Sequence, residues 1–162
     1  MKYTYFNNAA GAHPIAPGVI EAVTKAMLEP PRVSGREAST ASDGLHQCRS
    51  HLSRILCVDT QQTVLTSGAT YGLNVALLGL ELGHGDLVIS TVMEHNSVLR
   101  PLARLEDRHS VRVEYVSLDA DARLNRSTYD KLLDEAPRLV VLSHASNVTG
   151  RVNPVKSWFV AA

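Results

Sequence analysis

Three short stretches of this chain gather residue types that can hold a small polar ligand. The first is Thr66-Ser67-Gly68-Ala69-Thr70-Tyr71-Gly72-Leu73-Asn74. Small residues at a turn that opens into a helix leave backbone N–H groups unpaired and aim the positive end of the helix dipole at one spot. Gly68 and Ala69 permit close approach, and the hydroxyls of Ser67 and Thr70 add donors, a set that suits a phosphate group. It is not a P-loop, because no Gly-Lys-Ser/Thr follows, and it lacks the G-x-G-x-x-G spacing of a dinucleotide site. The same residues would equally make a well-capped helix start. The second stretch is Glu94-His95-Asn96-Ser97-Val98-Leu99-Arg100-Pro101-Leu102. It follows a β-rich run, so His95 would face the crevice where open α/β sheets collect ligands, or else serve as a hydrogen-bonded structural histidine. The third is Ser143-His144-Ala145-Ser146-Asn147-Val148-Thr149-Gly150, again just past a β-rich run. Asn147 offers both a donor and an acceptor there, although Asn-Val-Thr-Gly is also ordinary turn chemistry.

The elements that must position these residues are legible as alternating periods. Val19, Ile20, Val23, Met27 and Leu28 recur at helical spacing between Pro17 and Pro30-Pro31, which predicts a helix of about three turns. A Pro/Arg/Ser/Gly-rich loop from Pro30 to about Gly35 leads into a second helix ending near Leu56, with Leu45, Cys48, Leu52, Ile55 and Leu56 on one face. Strands are expected at 63–66, 86–91, 111–116 and 138–143. Helices are expected at about 69–82, at 97–108, around Tyr129-Leu132-Leu133 with Ser127 as its cap, and after Pro154. Strands alternating with helices imply an α/β fold with a mostly parallel sheet and the three polar stretches at one end of it.

Composition narrows the function classes. The chain has 162 residues, 44% of them hydrophobic, with 16 Lys plus Arg against 16 Asp plus Glu. A neutral chain without a basic run offers no electrostatic footprint for nucleic acid or an anionic membrane. The longest apolar run, Val75 to Leu80, is too short to span a bilayer. The N-terminus shows no signal-peptide pattern, so a cytoplasmic location is expected. Cys48 and Cys57 have no metal-ligand spacing and are expected to be reduced, half-buried helix residues, and no metal site is expected.

Taken together and in order, Ser67-Gly68-Ala69-Thr70, the Glu94–Leu102 stretch and the Ser143–Gly150 stretch resemble three landmarks of the class V aminotransferase family of pyridoxal-phosphate enzymes. They are most similar to its cysteine desulfurase and selenocysteine lyase branch. Tyr5-Phe6-Asn7-Asn8-Ala9-Ala10 resembles that branch's N-terminal Asp-Asn-Ala-Ala motif, with Asn7 where Asp is usual. The resemblance runs from Tyr3 to about Lys156. It implies the N-terminal part of a fold-type I transferase, with 1–60 as an N-terminal helical segment and 61–162 as an incomplete pyridoxal-phosphate-binding α/β large domain.

The resemblance also implies roles. Ala69 and Thr70 would bind the phosphate of pyridoxal 5'-phosphate, His95 would stack on its pyridine ring and serve in proton transfer, and Asn147 would lie near the phenolic oxygen. Arg32 is a weaker match, to an Arg in the loop after the first helix. In the family, the Asp partner of the ring nitrogen, the Lys that carries the cofactor, the nucleophilic Cys and the substrate-binding Arg all lie downstream of the Asn147 motif. The lysines here are Lys2, Lys25, Lys131 and Lys156, none in a matching context, and neither Cys48 nor Cys57 matches the nucleophile. The expectation is therefore a truncated or fragment form of a cysteine desulfurase-like enzyme, inactive alone. The complete enzyme would convert L-cysteine to L-alanine with an enzyme-bound persulfide. The alternatives are a class V aminotransferase or other β-lyase, and a non-catalytic assembly protein that keeps the fold. Ending at Trp158-Phe159-Val160 would expose apolar surface, to be covered in a homo-oligomer or by a missing C-terminal half.

Overall fold

Leu87–Thr91 reads Leu-Val-Ile-Ser-Thr, is buried at every position, and forms β1, the middle strand of a parallel sheet. The structure, a computed structural model, describes residues 4–28 and 44–160. On one side β1 pairs with β2 (Arg112–Val116) over five positions, Leu87↔Arg112 through Thr91↔Val116. On the other it pairs with β3 (Leu139–Val140) over two, Val88↔Leu139 and Ile89↔Val140. The helices are α1 (Val19–Leu28), α2 (Gly44–Leu56), α3 (Ala69–Gly79), α4 (Asn96–His109), α5 (Arg126–Leu133) and α6 (Val155–Phe159), with a 3-10 turn at Thr60–Gln62.

Alternation along β1 divides the core between the two faces of the sheet. Val88 packs with Leu77 of α3, Val98, Leu102 and Leu105 of α4, and Val113 of β2. Leu87 and Ile89, one residue either side, pack the other way with Val116, Leu124, Tyr129 of α5 and Trp158 of α6. A parallel sheet needs both faces covered, and here each face carries two helices. Each fully buried aliphatic or aromatic side chain contributes roughly 1.5–3 kcal/mol, so these two clusters hold the α/β unit together.

The chain divides into two compact units, Met1–Leu65 and Thr66–Ala162. In the first, the Tyr5 hydroxyl donates to the carbonyls of Asn7 (3.0 Å) and Gly11 (2.8 Å), and the Tyr5 and His13 rings meet edge-on at 5.2 Å. Ser53 of α2 is buried and its hydroxyl lies 3.3 Å from that of Thr63.

Several expectations need correction. Residues 63–66 form no strand: Thr63 is extended (φ −100°, ψ 110°), but no described strand pairs with this run, and Val64 is 76% exposed. The fourth expected strand stops at Val140. Val141 N–H still reaches Ile89 O at 2.8 Å, but the next donor on that side, Ser143 N–H, turns to the Glu94 carboxylate. α3 ends at Gly79 rather than Leu82, because Leu80 is already extended (φ −73°, ψ 129°). The cap of α5 is Asn125, whose side chain accepts from Thr128 N–H at 3.0 Å; Ser127 lies inside the first turn. Cys48 and Cys57 are free thiols but exposed rather than half-buried. Trp158 is buried against Tyr129, while Phe159 and Val160 are exposed. The Pro30–Gly35 loop, the start of the second helix and Arg32 lie outside the described residues.

Candidate functional site

The Thr70 stretch opens α3, and its helix start has a particular character. The N-cap is Gly68, at φ 152°, a conformation that favours glycine, and no side chain caps it. By contrast α4 and α5 are capped by the side chains of His95 and Asn125. The first N–H groups of a helix have no intrahelical partner, so those of Ala69, Thr70 and Tyr71 point outward from an uncapped end. No acidic residue stands in the first turn. The end opens on a cleft of about 590 Å³ lined by Ser67, Gly68, Ala69, Thr70, Tyr71 and Asn74. Unpaired donors, a positive dipole end and no competing carboxylate fit a phosphate group. Thr70 itself sits one residue inside the helix, so its hydroxyl is not a cap.

His95 lies at the C-terminal end of β1 and is the N-cap of α4 (φ −72°, ψ 153°). Its Nδ1 accepts from Ser97 N–H at 3.1 Å and lies 2.9 Å from the Ser97 hydroxyl. A lone pair committed at Nδ1 leaves the proton of the neutral ring on Nε2. The residue is exposed.

Asn147 stands on the loop after β3, also exposed. The loop is knit from below by two buried side chains, Ser146 and Asn153. The Ser146 hydroxyl accepts from Val148 N–H (3.3 Å) and Thr149 N–H (3.2 Å), and the Asn153 amide donates to Ser143 O at 2.8 Å. Gly150 closes the turn at φ 70°, with its N–H on Ser146 O at 2.9 Å.

Topology brings the His95 and Asn147 loops to one end of the sheet. β1 and β3 are parallel neighbours, so the loops carrying His95 and Asn147 leave the same end of the sheet. α3 joins the start of β1 through residues 80–86 and packs on the sheet through Leu77. Its 11 residues rise about 16 Å at about 1.5 Å each. That matches the five residues of β1 at about 3.3 Å each, the length that a helix running back along β1 needs to reach the end where the strand finishes.

One residue of the site had no role in the sequence reading. Glu94 is 7% exposed. It accepts from the Thr91 hydroxyl (2.9 Å), from Ser143 N–H (2.8 Å) and from the Ser143 hydroxyl. The signal in the sequence was a carboxylate next to His95; what it lacked was any indication that Ser143, 49 positions on, would meet it. No group of three or more His, Cys, Asp or Glu side chains among the described residues could hold a metal ion. No helix among them is long and apolar enough to cross a membrane.

Comparison with known proteins gives this geometry a family. The model of the aminotransferase class-V family matches residues 4–161. A probable cysteine desulfurase of Methanothermobacter thermautotrophicus is 29% identical over 153 residues, covering 92% of this chain and 38% of the relative. A cysteine desulfurase of Haloferax volcanii is 35% identical over 98 residues, covering 59% of this chain and 23% of the relative. Among solved structures, the apo cysteine desulfurase of Thermococcus onnurineus superposes with a TM-score of 0.78 at 23% identity, covering 88% of this chain and 37% of that one. The chain thus spans about a quarter to two fifths of the length of these relatives.

Proposed function

The chain belongs to the aminotransferase class-V family, on its cysteine desulfurase branch, and we propose that it supplies the phosphate- and ring-holding part of a pyridoxal-phosphate site. The observation that carries this reading is the uncapped start of α3, opening on a cleft lined by Ser67, Gly68, Ala69, Thr70, Tyr71 and Asn74. Ala69 and Thr70 hold the phosphate through backbone N–H groups and the Thr70 hydroxyl. His95 lays its exposed imidazole on the pyridine ring, oriented by the Ser97 N–H at Nδ1, and keeps a transferable proton at Nε2. Asn147 donates from its amide toward the phenolic oxygen. Pyridoxal phosphate, when bound, supplies the electron sink that lets bonds at an amino acid's α-carbon break.

For the whole protein we infer cysteine desulfuration, L-cysteine giving L-alanine with the sulfur held as a protein persulfide. In this reading residues 1–60 are a helical segment and 61–162 are part of the cofactor-binding domain. A second copy of the chain, or further sequence of the whole protein, covers the exposed Phe159 and Val160.

Titration of the chain with pyridoxal phosphate, followed by absorbance and induced circular dichroism, tests the site. The expected result is saturable binding that inorganic phosphate displaces and that pyridoxal without its phosphate reproduces poorly. Binding indifferent to phosphate would indicate reaction with surface lysines such as Lys131 or Lys156 and would contradict the reading.

A further inference from the structure

The two loops that would hold the cofactor ring hang on strands of unequal security. β1 and β2 are laddered over five positions, but β3 is held to β1 by only two, and its regular pairing ends at Val140. Past that point the loop carrying Asn147 is tied back to β1 by the Glu94 carboxylate. Oε1 accepts from the Thr91 hydroxyl and from Ser143 N–H, and Oε2 accepts from the Ser143 hydroxyl. From Ser143 the connection continues without a gap: its carbonyl accepts from Asn153 Nδ2 (2.8 Å), Asn153 N–H donates to His144 O (2.7 Å), and Ser146 N–H donates to Arg151 O (2.9 Å). On the other side Glu94 is the residue immediately before His95, so the carboxylate that grips one loop also begins the other.

Burying a carboxylate costs free energy unless its lone pairs are filled, and three donors fill them here. A bare helix-start glutamate would point into solvent and need none of this. We propose that Glu94 is a positioning residue, whose carboxylate locks the His95 loop to the Asn147 loop and so fixes where a pyridine ring sits between them. The proposal rests on the pyridoxal-phosphate reading for its ligand, but the lock itself is a property of the chain alone. The phosphate end of the site, at the start of α3, makes none of these bonds and is independent of the lock.

Three variants and two readouts test it. In Glu94→Ala, amide hydrogen exchange without ligand should quicken in both 92–97 and 143–150, and not at 68–72. Affinity for pyridoxal phosphate should fall about tenfold, because His95 and Asn147 would no longer be held where both can meet the ring, while affinity for inorganic phosphate stays unchanged. Glu94→Gln keeps Oε1 for Thr91 and Ser143 N–H and lets the Ser143 hydroxyl turn to accept, so it should restore both readouts. Should Glu94→Ala fail to fold, Ser143→Ala, which removes one hydroxyl and keeps the backbone donor, should show the same pattern more weakly. Quickened exchange confined to 92–97, or a Gln variant as impaired as the Ala variant, would overturn the proposal. If the unaltered chain binds no pyridoxal phosphate, the functional reading falls, and the exchange data still decide whether the lock exists.

Discussion

His95 has one observed job and one proposed one, and a single alanine substitution would confuse them. Its Nδ1 caps α4, and removing a capping side chain costs about 1 kcal/mol, within a range of roughly 0.5–2 kcal/mol. Its ring face is the surface proposed for stacking. His95→Asn separates them, because Asn is among the best N-caps but offers no aromatic face. The expectation is that urea denaturation finds His95→Asn close to the unaltered chain and His95→Ala less stable by about 1 kcal/mol. Both should lose affinity for pyridoxal phosphate. A stable His95→Asn that binds pyridoxal phosphate normally would reduce His95 to a cap. At this scale the sequence displayed the types, Thr70, His95 and Asn147, because each stands in a short local pattern. It could not display Glu94, whose partner Ser143 is local only in space, nor that the start of α3 carries no side-chain cap.

The elements were legible where hydrophobic period and strand length agreed, as in β1, β2 and α4, and less so where a partner decides the outcome. Residues 63–66 have β-rich composition, but a strand exists only through its ladder, and none of the described strands supplies one. Cap assignment failed at α5 for a related reason: Asn125 and Ser127 are both good caps, and only the backbone position separates them. Asn125→Ala should therefore cost about 1 kcal/mol, and Ser127→Ala well under half of that, by urea denaturation. Equal losses would put the helix start at the serine. α5 and α6 are joined through Tyr129, whose ring lies 4.4 Å from that of Trp158 and whose hydroxyl donates to Trp158 O at 3.2 Å. Burial pushes the Tyr129 phenol above its ordinary value of 10.0, with Asp130 adding to the rise and Arg126 opposing it. A phenol held neutral by folding contributes stability that is complete below the unfolded-chain value and is lost as pH climbs through the raised one. Above about pH 10, stability should thus fall more steeply for the unaltered chain than for Tyr129→Phe. Parallel slopes for the two would show that the phenol ionises freely in the fold.

At the scale of the whole molecule, the α/β architecture followed from alternation, since a parallel sheet covered on both faces is the economical way to bury β1. The family was legible only by joining three motifs, each ambiguous alone, and two of them now share an end of the sheet: the loops carrying His95 and Asn147 follow the parallel neighbours β1 and β3. The proposed site holds phosphate and ring, but none of Lys2, Lys25, Lys131 and Lys156 stands in the family's cofactor-lysine context. These 162 residues by themselves should accordingly release no sulfide from L-cysteine in the presence of pyridoxal phosphate. Sulfide release abolished by Lys156→Ala would make Lys156 the cofactor lysine and refute that expectation. The central claim, that the start of α3 holds the cofactor's phosphate, is tested most directly by titrating Thr70→Ala with pyridoxal phosphate and with inorganic phosphate. Because Thr70 is not the cap, its removal should leave stability nearly unchanged, while loss of a hydrogen bond to a charged group, roughly 1.5–3 kcal/mol, weakens both ligands about tenfold or more. Affinity for both ligands equal to that of the unaltered chain would contradict the account and leave α3 an ordinary helix start.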